Sequence, residues 1–483
     1  MKILVLQLAR FGDILITGPV LKSLRRKYPD ARIDFLVRSK FKEAAGQLEG
    51  FDRILELSTV NLIGPIIQEE MNEGESIRRA HAFVDNLKYE NYDEIINLSF
   101  SPASSYLMSM LETDTVIMRG YGRHEDGSFK ILDEASEYFY AQVGVGQHNR
   151  FHLINILASV AGVDVLDSDL TYSFKAQTPL AVTPGSIAIH IGASQEGKRI
   201  PVLKWISFIR EFGEIFPNTP LILLGAGSES EDAEKIAGSS SHAHLYNYVG
   251  KTKWSDVFGV LAKCKMLVAA DSSLVHAAGL VGTSVFNISN PTVNFWETGP
   301  RSPGSFVYFE NDFEMLNTRD LAQTMTASIN GFKPANVYIG VQGIPAFDGP
   351  MTGTEFQWDL IAALYWGADF PRVNPAMAEA VAHLQNLNDV VLENLANADK
   401  IDPKILAEIL KRADDIQMLI SQQMTDLQPL FRFMEVERIR IAPGTREEII
   451  KSMITCHERC AVVLQVFLSF QVQEQKEMAD GQL

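Results

Sequence analysis

The stretch Met266–Gly282 (MLVAADSSLVHAAGLVG) constrains this chain more than any other. Met266–Ala270 is a short, uninterrupted apolar run, the pattern of a parallel strand buried on both faces. Asp271, Ser272 and Ser273 follow at once, and each is a good helix N-cap. Leu274–Val281 then reads as a helix. Its Ala277, Ala278 and Gly279 permit close packing on a sheet, and Gly282 suits the position just past its end. A strand that runs directly into a capped helix presents backbone N–H groups and the positive end of a helix dipole at the sheet's carboxyl edge. That is a ready anion site. Asp271 and His276, five residues apart, fall on roughly the same side of the first turns. An ordinary strand–helix joint, with Asp271 as cap and His276 half-buried, accounts for these residues when they are taken alone.

A length of 483 residues predicts two or three domains, and 46% hydrophobic residues suffice for large cores. The net charge of −17 argues against a nucleic-acid partner, which calls for a basic surface. It leaves room for a small phosphate-bearing ligand at a locally positive site. Three cysteines, Cys264, Cys456 and Cys460, fit a reducing compartment better than a disulfide framework. No apolar run approaches the roughly 20 residues that span a bilayer. The N-terminus, MKILVLQLARFGD, reads as a first strand rather than a signal peptide. These features predict a cytoplasmic protein.

Ile3–Leu8, a helix running to about Tyr28, and Arg32–Val37 make a βαβ unit, with a right-handed crossover expected. Its first strand-to-helix turn, Ala9–Asp13, lies where doubly wound folds put ligands, and it lacks the GxGxxG fingerprint. Asp13 either caps the helix or enters a cleft as a general base; the spacing alone favours the cap. Phe51–Leu57, Asp93–Leu98 and Val116–Arg119 read as further strands. Asn61–Tyr92 reads as mostly helical with a solvated charged face that includes Glu69 and Glu70. Tyr121–Gln147 reads as loops over a cleft mouth, and His148–Ala161 as a closing helix. His148, Arg150 and His152 could meet an anionic acceptor, although surface polarity explains them as well.

Thr178–Gly185 has the composition of a linker. Ser186–Ile191 then reads as a strand followed by the loop Gly192–Arg199, which carries Ser194 and Lys198 and suits a diphosphate. It meets Walker A spacing only loosely. Pro220–Leu224 is the next strand, with Glu229 and Glu231 beyond it as candidate ribose acceptors or plain dipole-complementing carboxylates. Ser284–Ser289 ends at Asn290-Pro291-Thr292. The strand tips therefore collect Ser194, Lys198, Glu229, Asp271, His276 and Thr292 on one edge, which favours a nucleotide site.

Four separated motifs, RFGDILITGPVLKSLRRKYPDARIDFLV, HIGASQEGKRIP, LLGAGSESE and DSSLVHAAGLVGTSVFNISNPT, occur here in one order. In order and spacing they resemble glycosyltransferase family 9, the family of ADP-heptose:lipopolysaccharide heptosyltransferases, over residues 1–325. The resemblance implies an α/β fold of the GT-B type, two Rossmann-like lobes facing a cleft. It divides the chain into an acceptor lobe (1–175), a nucleotide-sugar donor lobe (176–335) and an all-helical extension (336–483). It implies inverting, metal-independent transfer of a heptose-like sugar from an ADP-sugar to a saccharide, lipid-linked or protein acceptor, with no further cofactor. By resemblance Asp13 is the general base. Ser194, Lys198, Glu229, Asp271, Ser272, Ser273, Leu274 and His276 hold the donor, with Glu231 an alternative to Glu229. The place is the cytoplasm, with a peripheral position at the inner membrane allowed. Two positions depart from the family pattern: Ser273 stands where glycine is usual, and Ile200 where an aromatic residue is usual. They keep open an inactive nucleotide-sugar or partner-binding module, or a GT-B enzyme with another nucleotide sugar.

Beyond residue 336 the resemblance stops. Gly340–Thr354 reads as a linker. Ala376–Leu395, Pro403–Ile420 and Glu447–Gln471 are amphipathic helices that suit a small bundle of their own, a homo-oligomer face or a platform for a partner. Cys456 and Cys460 lack the two further ligands of a zinc site.

Overall fold

The computed structural model describes residues 1–67, 72–172, 174, 178–330, 332, 337–339 and 354–480. For 337–339 and 472–480 it describes the backbone alone. The expected linker from Gly340 lies outside the described residues except for Thr354, as do Glu69 and Glu70. Two compact units emerge, Met1–Gly120 with Arg150–Pro350, and Tyr121–Asn149 with Met351–Leu483.

The first unit holds two sheets, one wholly parallel and one parallel but for its last strand. β1 (Lys2–Gln7), β2 (Arg32–Arg38), β3 (Arg53–Leu57), β4 (Glu94–Asn97) and β5 (Ile117–Arg119) are ordered β3-β2-β1-β4-β5. Residues 3–6 of β1 are wholly buried, as a strand covered by helices on both faces must be. The helix Phe11–Lys27 leaves β1 after a three-residue turn, so Phe11, Gly12 and Asp13 belong to its first turn and not to the loop. β6 (Tyr121–Arg123) and β7 (Phe129–Ile131) follow in the chain and belong to the second unit.

The second sheet has the order β10-β9-β8-β11-β12-β13-β14. Its strands are β8 (Ile187–His190), β9 (Leu221–Leu224), β10 (Leu245–Asn247), β11 (Met266–Ala270), β12 (Ser284–Ser289), β13 (Phe306–Phe309) and β14 (Val337–Ile339). All neighbours run parallel except β13 and β14. β8 leads outward to β9 and β10 on one side and pairs with β11 on the other, so the strand order reverses between β8 and β11. In such sheets the crevice at that point is where ligands bind. Trp205, Phe208 and Phe212 of the Val202–Ile215 helix cover this sheet, and Ile200 lies in the same core at 2% exposure.

The second unit is helical: Glu355–Trp366, Pro375–Ala396, Pro403–Gln423, Gln428–Ile439 and Arg446–Asp480. Leu384, Leu430, Phe433, Leu464 and Phe467 lie at its core. The expected loops at 121–147 are instead the β6–β7 hairpin and a helix, Glu134–Gln142. Tyr121 and Tyr138 are buried there, at 2% and 6% exposure, and the Gln142 amide donates to the Pro429 carbonyl at 3.2 Å. By length and composition, Arg446–Gln471 is apolar enough to cross a membrane. Cys456, Cys460, Leu464 and Phe467 on that helix are buried, so this face of it is spent on packing.

Candidate functional site: the edge between β8 and β11

β11 ends at Ala270 and the next helix is Ser273–Leu280, with Ser272 as its N-cap. The Ser272 hydroxyl makes no cap hydrogen bond, and its Oγ is buried without a partner among the described residues. The N–H groups of a helix's first turn have no acceptor within the helix, so this end can hold an anion. Ser273 takes the first helical position. Among the described residues Asn91 is the sole non-glycine with positive φ, so the backbone at 273 does not require glycine. Leu274 is buried and can offer the site its backbone.

Lys198 reaches this end from the loop after β8. Its Nζ donates to Asp271 Oδ2 at 2.7 Å, and the two side chains are 15% and 14% exposed. Asp271 Oδ1 accepts from the Thr298 hydroxyl at 2.9 Å. The Asn290 amide, just past β12, donates to the Gly197 carbonyl at 2.8 Å and so holds the turn before Lys198. Asn290 Oδ1 in turn accepts from the Thr292 hydroxyl at 2.6 Å.

His276 lies against the first helix of the other lobe: a Cβ placed on Gly12 would stand 3.5 Å from its Cδ2. Burial holds the His276 imidazole below its ordinary pKa, against the pull of the Asp271 and Asp13 carboxylates, and Lys198 adds to the depression. Asp13, Asp271, Lys198 and His276 thus converge. Asp13 is not the N-cap, which is Arg10, but the third helical residue, and its Oδ2 reaches back to accept from the Arg10 N–H at 3.0 Å. Its other oxygen has no hydrogen-bond partner among the described residues. Phe11 packs on Phe41 and on Trp254, with centroids 4.7 and 5.3 Å away, which fixes this turn across the two lobes.

Glu229 is 7% exposed and engaged within its own turn. Oε2 accepts from the Ala226 N–H at 2.5 Å and Oε1 from the Ser228 hydroxyl at 2.8 Å. The Arg199 guanidinium stands 3.9 Å from Oε1, next in sequence to Lys198. Glu231 turns to solvent with its side chain 83% exposed, paired to Lys235 at 2.8 Å, and stands apart from this cluster. Ser194 is exposed and has no hydrogen-bond partner among the described residues.

The reading of His148, Arg150 and His152 as polar surface groups needs correction, because none of the three is exposed. His152 caps the helix Leu153–Val160: its Nδ1 accepts from the Ile154 N–H at 3.1 Å. Nε2 therefore carries the proton that faces the Gly299 carbonyl at 3.0 Å. Burial, with Arg301 and His276 nearby, holds its pKa well below the ordinary value. Arg150 is 6% exposed and lies over the Trp296 ring, and His148 belongs to the second unit.

His190 is a residue that sequence reasoning passed over. It ends β8 at 8% exposure, its Nδ1 has no partner among the described residues, and burial lowers its pKa to about 4. Its position as the last residue of a strand beside the switch point was the available signal. Among the described residues no three His, Cys, Asp or Glu side chains are grouped to hold a metal ion.

Residues 80–300 match the family model described as glycosyltransferase family 9 (heptosyltransferase). Over that span the chain is glycosyltransferase family 9-like. The glycosyltransferase is 20% identical to lipopolysaccharide heptosyltransferase 3 of Escherichia coli K12 over 317 residues, 64% of this chain and 88% of that one. Its fold matches the family 9 glycosyl transferase of Veillonella parvula, with TM-score 0.52, 15% identity and coverage of 68% and 97% of the two chains. It also matches an E. coli heptosyltransferase with ADP-2-deoxy-2-fluoro heptose, with TM-score 0.51, 18% identity and coverage of 68% and 99%. The two sheets and their flanking helices are the GT-B fold.

Proposed function

We propose that this glycosyltransferase moves a heptose-like sugar from an ADP-sugar to a saccharide, lipid-linked or protein acceptor, with inversion and without a metal. The observation that carries the reading is the Lys198–Asp271 pair at the N-terminus of the Ser273–Leu280 helix, beside the switch point of the donor-side sheet. Departure of ADP leaves negative charge on the diphosphate. A lysine and the open N–H groups of a helix supply the stabilisation that a metal would otherwise give. The solved relative that carries an ADP-heptose analogue supports the choice of donor.

Asp13, on the other lobe, takes the proton of the acceptor hydroxyl. The hydroxyl oxygen attacks the anomeric carbon from the face opposite the diphosphate, and the bond to the diphosphate oxygen breaks. The hydrogen bond at Oδ2 fixes the carboxylate and leaves Oδ1 to receive the proton. Ser272 Oγ, buried without a partner among the described residues, donates to a phosphate oxygen in this reading. Ile200 points into the core, so its departure from the family pattern bears on packing more than on the donor.

Calorimetric titration with ADP, UDP and GDP tests the reading. ADP alone binds, and Lys198→Ala weakens it by about tenfold or more, roughly 1.4 kcal/mol. Absence of nucleotide binding overturns it. Preference for UDP or GDP moves the donor to another nucleotide sugar, and ADP binding without ADP release from an ADP-sugar leaves a binding module.

A further inference from the structure

Lys198 has to serve two anions, the Asp271 carboxylate it already touches and the incoming diphosphate. A bare carboxylate at this distance would compete for the ammonium group. Asp271 is not bare, because its other oxygen accepts from the Thr298 hydroxyl at 2.9 Å. That bond lowers the carboxylate's demand on Lys198 and stops it rotating, so the remaining N–H groups of the ammonium stay aimed at the crevice. Thr298 itself is held firmly. The next residue, Gly299, presents its carbonyl to His152 Nε2 at 3.0 Å, and a Cβ on Gly299 would sit 2.4 Å from the Phe295 carbonyl oxygen. On the other side of Lys198, Asn290 fixes the Gly197 carbonyl.

We propose that Thr298 and Asn290 are positioning residues of the donor site. Asn290 directly follows β12 and Thr298 ends the short helix Phe295–Thr298, and the two clamp the Lys198 turn and Asp271 so that the lysine faces a nucleoside diphosphate. This rests on the donor reading above and adds the residues that make the lysine available.

The test is calorimetry on the full-length chain with ADP as the probe, alongside thermal midpoints without ligand. Thr298→Val keeps the size and removes the hydroxyl, and it weakens ADP roughly tenfold at an unchanged midpoint. Thr298→Ser restores the hydroxyl and returns affinity to within about twofold of wild type. Asn290→Asp removes the donated amide and shifts ADP binding in the same direction as Thr298→Val; it carries the test if the valine variant does not fold. Wild-type affinity in both Thr298→Val and Asn290→Asp overturns the positioning role and leaves the donor reading standing. So does equal loss in Thr298→Val and Thr298→Ser, since then the hydroxyl is not what matters. A wild-type chain that binds no ADP overturns both.

Discussion

Asp13 is at once the first-turn acceptor for the N-cap N–H and the carboxylate proposed to take the acceptor proton, and two substitutions separate these roles. Asn at position 13 can still accept from the Arg10 N–H, so Asp13→Asn keeps stability within about 0.5 kcal/mol of wild type. It cannot take a proton, so ADP release from the donor sugar falls by at least ~10²-fold. Asp13→Ala loses the rate and in addition about 1 kcal/mol of stability. Thermal midpoints and an ADP-release assay read both quantities, and an Asp13→Asn chain of undiminished rate removes Asp13 from the chemistry. At this scale the sequence was legible where a functional residue sits at a strand tip. Lys198 and Asp271 follow β8 and β11 closely, and their meeting at 2.7 Å needs only that those strands be neighbours. Thr298 was not legible, because its bond to Asp271 joins residues 27 apart across a helix, a strand and a four-residue helix too short to show in the pattern. Glu231 was misleading for a related reason: early-helix position alone does not tell a carboxylate that turns inward, as Glu229 does, from one that turns to solvent.

The Glu134–Gln142 helix shows the same limit for a whole element, and it carries an electrostatic consequence. Its local pattern is weak because its buried groups, Glu137, Tyr138 and Gln142, are polar or amphipathic. Their partners lie hundreds of residues away: Gln142 with Pro429, and Glu137 with Arg440 at 2.6 Å. Burial pushes the Glu137 carboxyl up to about 7, opposed by Arg440 and reinforced by the neighbouring carboxyl of Glu437. Between the ordinary glutamate value near 4.5 and about 7, the folded chain therefore holds a proton that the unfolded chain has released. Stability falls as pH rises through that window and levels off above it. Glu137→Gln, neutral at every pH, removes this term. The thermal midpoint of the variant, followed from pH 5 to pH 8, should slope less steeply downward than that of wild type. Identical slopes would place the titrating group elsewhere. By contrast, the amphipathic helices from residue 375 onward were legible, because their apolar stripes bury against one another within a single stretch of chain.

For the molecule as a whole, the division into units does not follow the order of the chain. The helical unit takes residues 121–149 out of the sequence between β5 and the helix Leu153–Val160, and completes itself with residues 351–483. A composition shift near residue 336 marks only the second of these boundaries, so an appended C-terminal bundle was the natural expectation. The Tyr138 ring meets Tyr365 edge-on and Trp366 at a tilt, with centroids 5.1 and 5.4 Å away, which shows what the early segment contributes to that unit. A chain cut at residue 350 keeps Tyr138 and its helix and loses the helices that pack on them. An exposed apolar patch of this kind promotes association. Such a chain should bind a hydrophobic dye and elute as aggregate in gel filtration, whereas replacing 121–149 by a short Gly/Ser link should return it to the monomer position. If the cut chain is monomeric and dye-free with 121–149 intact, the early segment is stable without its helical partners, and the second unit is an assembly of two independent parts rather than one core.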